Sequence, residues 1–330
     1  MILAGDIGGT STRLAIFEAP KGRPLCVIEQ KYPSRKYAGL GEIATAFVKE
    51  QKVEVERACF GIAGPVKDGR VEATNLPWVV DSRSLARELG LPTVRLLNDL
   101  EANAYGIALL DAADFVTLNR GAKGAAGNCA VISVGTGLGE AGMYWDGQAH
   151  HPFACEGGHV DFSPRDELEG ELLNHLRPKF KKCGHVSYER ILSGPGLLEV
   201  YQFLRDVKGG QEPAWLRETL MLKEKDPSAE IANAGLKGRC ELCVKALDMF
   251  VSFYGAEAGN LALKTMAIGG VYVGGGIAPR IIKKLKGPLF MAAFTAKGRM
   301  RKLMNDMPVR VIKNEKAALL GAALAALQSA

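Results

Sequence analysis

The sequence predicts an α/β protein of two domains. Runs of apolar and β-branched residues alternate with amphipathic runs from end to end, as in folds that pack helices on a sheet. The 330 residues also exceed one ordinary domain of about 100–200 residues. Finally, one strand–turn–strand pattern occurs twice, once in each half.

Strands are expected at 2–6, 12–18, 25–31, 57–63, 69–73, 93–97, 129–134, 140–145, 271–275 and 309–312. Apolar periodicity predicts helices over 39–51, 82–90, 99–110, 167–177, 197–206, 239–266, 279–286 and 315–328. The segment 207–238 reads as a mixed helix-and-loop excursion. No Pro-, Gly- or Ser-rich linker divides the chain, and the boundary is placed near 108–112, after the helix that begins at Asp99. The closing helix starts after Asn314, a good cap, and contains Gly321, which implies close approach of another backbone.

The recurring pattern covers Leu3-Ala4-Gly5-Asp6-Ile7-Gly8-Gly9-Thr10 with the strand after it. It returns about 127 positions later over residues 130–143, as Ala130-Val131-Ile132-Ser133-Val134-Gly135-Thr136-Gly137-Leu138-Gly139 with the strand after it. Bends without bulk can point backbone N–H groups at an anion. Two of them facing across a cleft would suit a polyphosphate. Asp6 is placed to hold hydrated Mg²⁺, with Thr10, Ser11 and Thr12 offering hydroxyls; a tight hairpin is the plain alternative. Neither bend fits a Walker A loop or opens a helix as a dinucleotide fingerprint must.

The net charge of +6 is spread along the chain and makes no case for nucleic acid. No stretch reaches the roughly 18 apolar residues of a membrane span. There is no secretory signal at the start, and seven scattered cysteines suit a reduced, cytoplasmic protein. Cys240-Glu241-Leu242-Cys243 invites a metal reading, but Cys243 falls on an apolar helical stripe, which favours core packing.

Asn98-Asp99 ends a strand and starts a helix. Capping explains it, and so does catalysis: an ionised Asp99 can accept a hydroxyl proton while Asn98 fixes the substrate. Glu156-Gly157-Gly158-His159 is a surface turn or a pair of partners for sugar hydroxyls. Taken alone, Glu189 reads as a solvated helix-face charge. Gly274-Gly275-Gly276 ends a strand and leaves room for a flat ring against the backbone.

With Gly61-Ile62-Ala63-Gly64-Pro65, Thr74-Asn75, Leu192-Ser193-Gly194-Pro195-Gly196 and Leu319-Leu320-Gly321 added, the chain resembles the bacterial glucokinases almost end to end. The resemblance implies a two-domain actin-like ATPase (ribonuclease H-like) fold with a cleft between a small domain, 1–108 plus 316–330, and a large one, 109–315. It implies ATP-dependent phosphorylation of glucose at its 6-hydroxyl, feeding glycolysis. Asp99 would be the base; Asn98, Glu156, His159 and Glu189 would hold the sugar. Gly8, Gly9, Thr10, Thr136 and Gly137 would contact ATP phosphates, Gly275 and Gly276 would border adenosine, and Asp6 would sit by Mg²⁺ through water. A homodimer is implied, without nucleic acid or membrane. The branch related to sugar-responsive repressors carries a cysteine-rich zinc loop after its Glu-x-Gly-His segment, whereas Phe162-Ser163-Pro164-Arg165-Asp166 stands here. The basic stretch 177–184 has no assigned role.

Two other classes share such a fold. A sugar-responsive regulator needs an additional helix-turn-helix, for which a hairpin beginning at Ile2 leaves no room. A filament or chaperone ATPase would have no use for Glu156, His159 and Glu189.

Overall fold

The computed structural model describes residues 1–328. The chain begins β1 (Ile2–Ile7), β2 (Ser11–Glu18), β3 (Leu25–Pro33), α1 (Leu40–Gln51), β4 (Arg57–Ile62), β5 (Arg70–Glu72) and β6 (Val79–Asp81). It continues with α2 (Ser82–Leu89), β7 (Val94–Asn98), α3 (Asp99–Ile107), β8 (Phe115–Asn119), β9 (Cys129–Val134), β10 (Leu138–Trp145) and β11 (His150–Cys155). Then come α4 (Glu167–Lys179), α5 (Gly194–Asp206), α6 (Ala214–Met221), α7 (Pro227–Leu236) and α8 (Glu241–Thr265). It closes with β12 (Gly270–Gly274), α9 (Ile282–Leu285), α10 (Pro288–Thr295), α11 (Arg301–Asp306), β13 (Val309–Ile312) and α12 (Ala317–Gln328). Two compact units result: 1–114 with 141–154 and the segment from 314 onward, and 115–140 with 155–313.

The first unit holds a sheet of order β3-β2-β1-β4-β7, in which β1, β4 and β7 run parallel and β1–β2–β3 antiparallel. Side chains alternate, and both faces are covered. Leu3 and Ile7 join Phe47 of α1 and Phe60 of β4 in one apolar layer. Ile2 and Ala4 join Ala102 of α3 and Ala322 and Ala323 of α12 in the other. The expected close approach at Gly321 is present: a Cβ there would run into the Ala102 carbonyl oxygen, and one on Gly106 into that of Ala317. Small residues on both helices let their backbones touch.

In the second unit the strands lie in the order β9-β12-β13-β8, with β9, β12 and β13 parallel and β8 antiparallel to β13. The 25-residue α8 is its central helix, with Phe250, Phe253 and Tyr254 fully or almost fully buried. The Tyr254 hydroxyl donates to the Gly274 carbonyl at 2.9 Å, anchoring the end of β12. Cys240 and Cys243 lie in this apolar core and pack as small residues; burial is the main cause of the raised pKa of the Cys243 thiol. Of the basic stretch, Arg177 and Lys179 lie in the last turn of α4, where the helix dipole favours cations, and Lys179 pairs with Glu199 at 2.6 Å.

The expected strands and most helices form, with departures that have physical causes. β6, β8 and β11 were not expected; β6 has only three residues. Most β11 side chains are exposed, so no apolar alternation marks it, and every β8 side chain is half-buried or exposed. The excursion at 207–238 contains α6 and α7; Asp226 caps α7 by accepting the Ser228 N–H at 2.9 Å, and Pro227 occupies its first position. The helix expected at 279–286 is a tight turn over Ala278–Ile281 followed by the four-residue α9, and a fresh helix starts at Pro288.

Candidate active site

In the first unit, β1 and β2 pair directly (Ile7 opposite Thr12), and Gly8, Gly9 and Thr10 lie in the bend between them. The Gly8 N–H donates to the Ser11 carbonyl at 3.0 Å. Ser34, buried just after β3, donates its hydroxyl to the Gly8 carbonyl at 2.8 Å and lies 3.0 Å from the Thr12 hydroxyl. Gly9 is not needed for a left-handed φ; a Cβ there would lie 2.5 Å from the Asn75 Cβ. Asp6 is half-buried at the end of β1, opposite Arg13. Burial pushes its carboxyl above the ordinary range, against the pull of the Arg13 and Lys31 cations.

Asn98 and Asp99 occupy the same end of that sheet. Ile7 pairs with Ile62, and Ile62 with Asn98, so three parallel strands finish in one row. Strand spacing of about 4.8 Å puts the row's ends about 10 Å apart. Asn98 caps α3: its Oδ1 accepts the Leu100 N–H at 2.9 Å and the Glu101 N–H at 3.4 Å. Its Nδ2 donates to the Gly64 carbonyl at 3.2 Å. Asp99, half-buried in the first turn, accepts the Leu100 N–H at 3.0 Å.

In the second unit, the Gly135 N–H donates to the Gly137 carbonyl at 2.9 Å, closing the bend between β9 and β10. Glu189 is not a solvated helix-face charge. It is half-buried in a 3₁₀ turn, Tyr188–Arg190, and its Oε2 accepts the Leu138 N–H at 3.1 Å. Two further bonds lock this region: Gly194 N–H to the Gly135 carbonyl at 2.8 Å, and the Ser193 hydroxyl to the Glu189 carbonyl at 2.7 Å.

Glu156 and His159 lie at either end of a second 3₁₀ turn, half exposed, with His159 Nε2 3.9 Å from Glu156 Oε2. Backbone bonds from Tyr188 to Val160 (3.0 Å) and from Phe162 to Val186 (2.9 Å) join this turn's exit to the segment carrying Glu189. Glu156, His159, Glu189, Thr136 and Gly137 are thus gathered around the start of β10. Gly275 needs φ +84°, and a Cβ on it would strike the Val134 backbone, so it seats the end of β12 against β9.

Thr136 and Gly276 line a cavity of about 530 Å³ within this unit. Gly137 and Gly275 do not line it. Its other wall comes from Gly194-Pro195, Asp226, Ser228, Asn233 and Arg280, which the sequence reading did not assign to a site. The Asp226-Pro227-Ser228 cap was the available signal. Ser228 donates to the Gly194 carbonyl at 2.6 Å and fixes α7 to the mouth of α5.

A glucokinase family model matches residues 3–329. A glucokinase of Nostoc sp. strain PCC 7120 is 40% identical over 338 residues, covering 99% of this chain and 98% of that one. The chain belongs to the glucokinase family. A solved glucokinase from an Antarctic psychrotroph superimposes with a TM-score of 0.81 at 32% identity over 99% of both chains. A ROK family glucokinase of Streptomyces griseus, solved in complex with glucose and AMPPNP, has a TM-score of 0.65 at 22% identity over 99% of both chains and shows the likeness of fold. The expected actin-like ATPase architecture is therefore that of this glucokinase-family chain. Each motif quoted for the resemblance occupies a bend, a cap or a close backbone approach.

Proposed function

We propose that the chain transfers the γ-phosphoryl group of ATP to the 6-hydroxyl of glucose, giving glucose 6-phosphate and ADP and feeding glycolysis. The grouping that carries this reading is Glu156, His159 and Glu189 beside the Gly135–Gly137 bend, which sets partners for sugar hydroxyls next to a bend suited to phosphate. In this reading Asp99 accepts the 6-hydroxyl proton; phosphoryl transfer needs positioning and a weak base more than a strong one. Asn98, whose Oδ1 is committed to the helix cap, has one further N–H to offer a neighbouring hydroxyl. Glu156, His159 and Glu189 hold the remaining hydroxyls, the anomeric one included.

Gly8, Gly9, Thr10, Thr136 and Gly137 take phosphate oxygens, and Gly275 and Gly276 border the adenosine. The cavity beside Thr136 and Gly276 has the volume of a small-molecule site, about 300–1,000 Å³. Mg²⁺ fits the donor set at Asp6, a half-buried carboxylate whose charge burial disfavours; the ion keeps several waters and takes one or two carboxylates. When bound, it neutralises phosphate charge. The lobes in this reading are 1–108 with 316–330 and 109–315; residues 329–330 lie outside the described residues.

The same reading includes a homodimer and a cytoplasmic location. Seven free thiols support the latter, and no helix among the described residues is long and apolar enough to cross a membrane. A coupled assay of ADP release over glucose, mannose and glucosamine, with ATP, ADP and polyphosphate as donors, tests the function. Turnover that does not depend on glucose overturns it. Sedimentation velocity tests the dimer.

A further inference from the structure

Beneath the turn that carries Glu156 and His159 lies a pair of carboxyls to which the proposed reaction gives no role. Glu140 of β10 and Glu257 of α8 are 1% and 0% exposed. Their side chains hydrogen-bond one another, and among the described residues the Oε1 atom of each meets no donor. Two ionised carboxylates only accept, so this contact requires one proton between them.

The surroundings decide which partner keeps the charge. Glu257 Oε2 accepts the Asn260 amide at 2.8 Å, and Asn260 accepts Lys297 Nζ at 2.6 Å. Lys297 also donates to the Ala256 carbonyl at 3.1 Å, and Lys264 stands near both acids. Glu140 faces Glu257, Lys264 and the Cys155 thiol; the Tyr188 phenol lies toward Glu257, and Arg165 toward Lys297. Glu257 is therefore the ionised member. Burial and the Glu257 charge push the Glu140 carboxyl up to about 8.

Glu140 also bears on the backbone above it. A Cβ on Gly157 would run into Glu140 Oε2, and one on Gly158 into the Leu138 carbonyl oxygen. The Glu156-Gly157-Gly158-His159 turn thus sits on the first residues of β10, with one carboxyl as its seat.

We propose that the Glu140–Glu257 pair positions the Glu156–His159 turn for sugar binding, and does so only while one proton is shared. This inference rests on the proposed function, because it assigns the turn to glucose. When the proton leaves to solvent, two buried negative charges lie side by side. They separate, and Glu140 presses on Gly157. Sugar affinity is then complete below the Glu140 pKa and falls as pH rises through it.

The experiment measures the KM for glucose and kcat from pH 6.5 to 9.5 in the wild type, E140Q and E257Q, together with an infrared titration of protonated carboxyls. Loss of one proton centred near 8 raises the wild-type KM about tenfold between pH 7 and 9, with kcat changing far less. E140Q keeps a donor toward Glu257 at every pH, so its KM profile is flat and the carboxyl band titrating near 8 is missing. E257Q removes the opposing charge and moves both midpoints down by about one pH unit or more. It also provides the comparison should E140Q fail to fold. Parallel KM profiles in wild type and E140Q, or no protonated carboxyl titrating near 8 in the wild type, overturn this inference alone. A wild type whose ATP turnover ignores glucose overturns the proposed function, and this inference with it.

Discussion

Glu189 Oε2 accepts the backbone N–H of Leu138 at 3.1 Å, tying a 3₁₀ turn to the bend that ends at Gly137. A Cβ on Gly137 would lie 2.6 Å from that same oxygen, so glycine is what lets the carboxylate come so near. In the proposed function this carboxylate serves the sugar while steadying the phosphate bend. Glu189→Ala therefore raises the KM values for glucose and ATP together. A hydrogen bond to a charged group is worth about 1.5–3 kcal/mol, or about 10–150-fold. Glu189→Gln keeps an acceptor for Leu138 and raises mainly the glucose value. Steady-state kinetics varying each substrate separate the two, and an unchanged ATP KM in Glu189→Ala argues against the coupling.

Asp99 and Asn98 are adjacent, yet only the replacement of Asn98 carries a large cost in stability. Asp99→Ala lowers kcat about 10²–10⁴-fold with a nearly unchanged urea midpoint, because the cap of α3 belongs to Asn98. Asn98→Ala removes that cap and leaves the Gly64 carbonyl without its amide donor, a loss of about 1–3 kcal/mol in stability. Activity of Asp99→Ala within a few-fold of wild type would show that another group takes the proton.

Ser34 and Gly9 shape the first bend from outside it. Ser34→Ala leaves the buried Thr12 hydroxyl and the Gly8 carbonyl short of a partner, which costs about 1–3 kcal/mol by denaturant unfolding and raises the ATP KM. Gly9→Ala puts a methyl against Asn75, and a second change, Asn75→Gly, restores ATP affinity. Failure of that rescue would show that the Asn75 contact is not what requires glycine.

Ala232 lines the 530 Å³ cavity on α7. Filling it by Ala232→Trp is expected to weaken ATP binding by tenfold or more in calorimetry while glucose binding stays within about twofold; a hydrophobic anchor lost or a pocket blocked is worth a few kcal/mol. Equal loss of both ligands would place the adenosine elsewhere.

The packing of α12 on α3 leaves no space at Gly321. Gly321→Ala gains helix propensity of about 1 kcal/mol but drives a methyl into the Ala102 carbonyl, so the net change is destabilising by about 1–3 kcal/mol. Thermal unfolding measures it.

Residues whose work is local were readable along the chain. The two glycine bends between apolar strands and the Asn98-Asp99 junction declare themselves through neighbours a few positions away, because turn and cap chemistry is short-ranged; Gly321 is marked by its cost inside a helical run, although its partner Ala102 is remote. Glu189 was different. Its partner Leu138 is 51 positions away, and in isolation a glutamate before a turn looks like any solvated charge. Ser34 meets Gly8 across 26 positions, and nothing in the local pattern marks it.

Most of the strands and helices, the two glycine bends and the places of Asp6, Asn98 and Asp99 at strand ends were legible in the amino-acid sequence by itself, since backbone propensity, apolar period and glycine's freedom act between near neighbours. Tertiary structure alone decided which carboxyls share a proton, which atoms crowd Gly9, Gly137 and Gly157, and which wall closes the cavity beside Thr136. Those outcomes depend on burial and on atoms brought within hydrogen-bond distance from segments far apart in the chain, and neither quantity exists until the chain has packed.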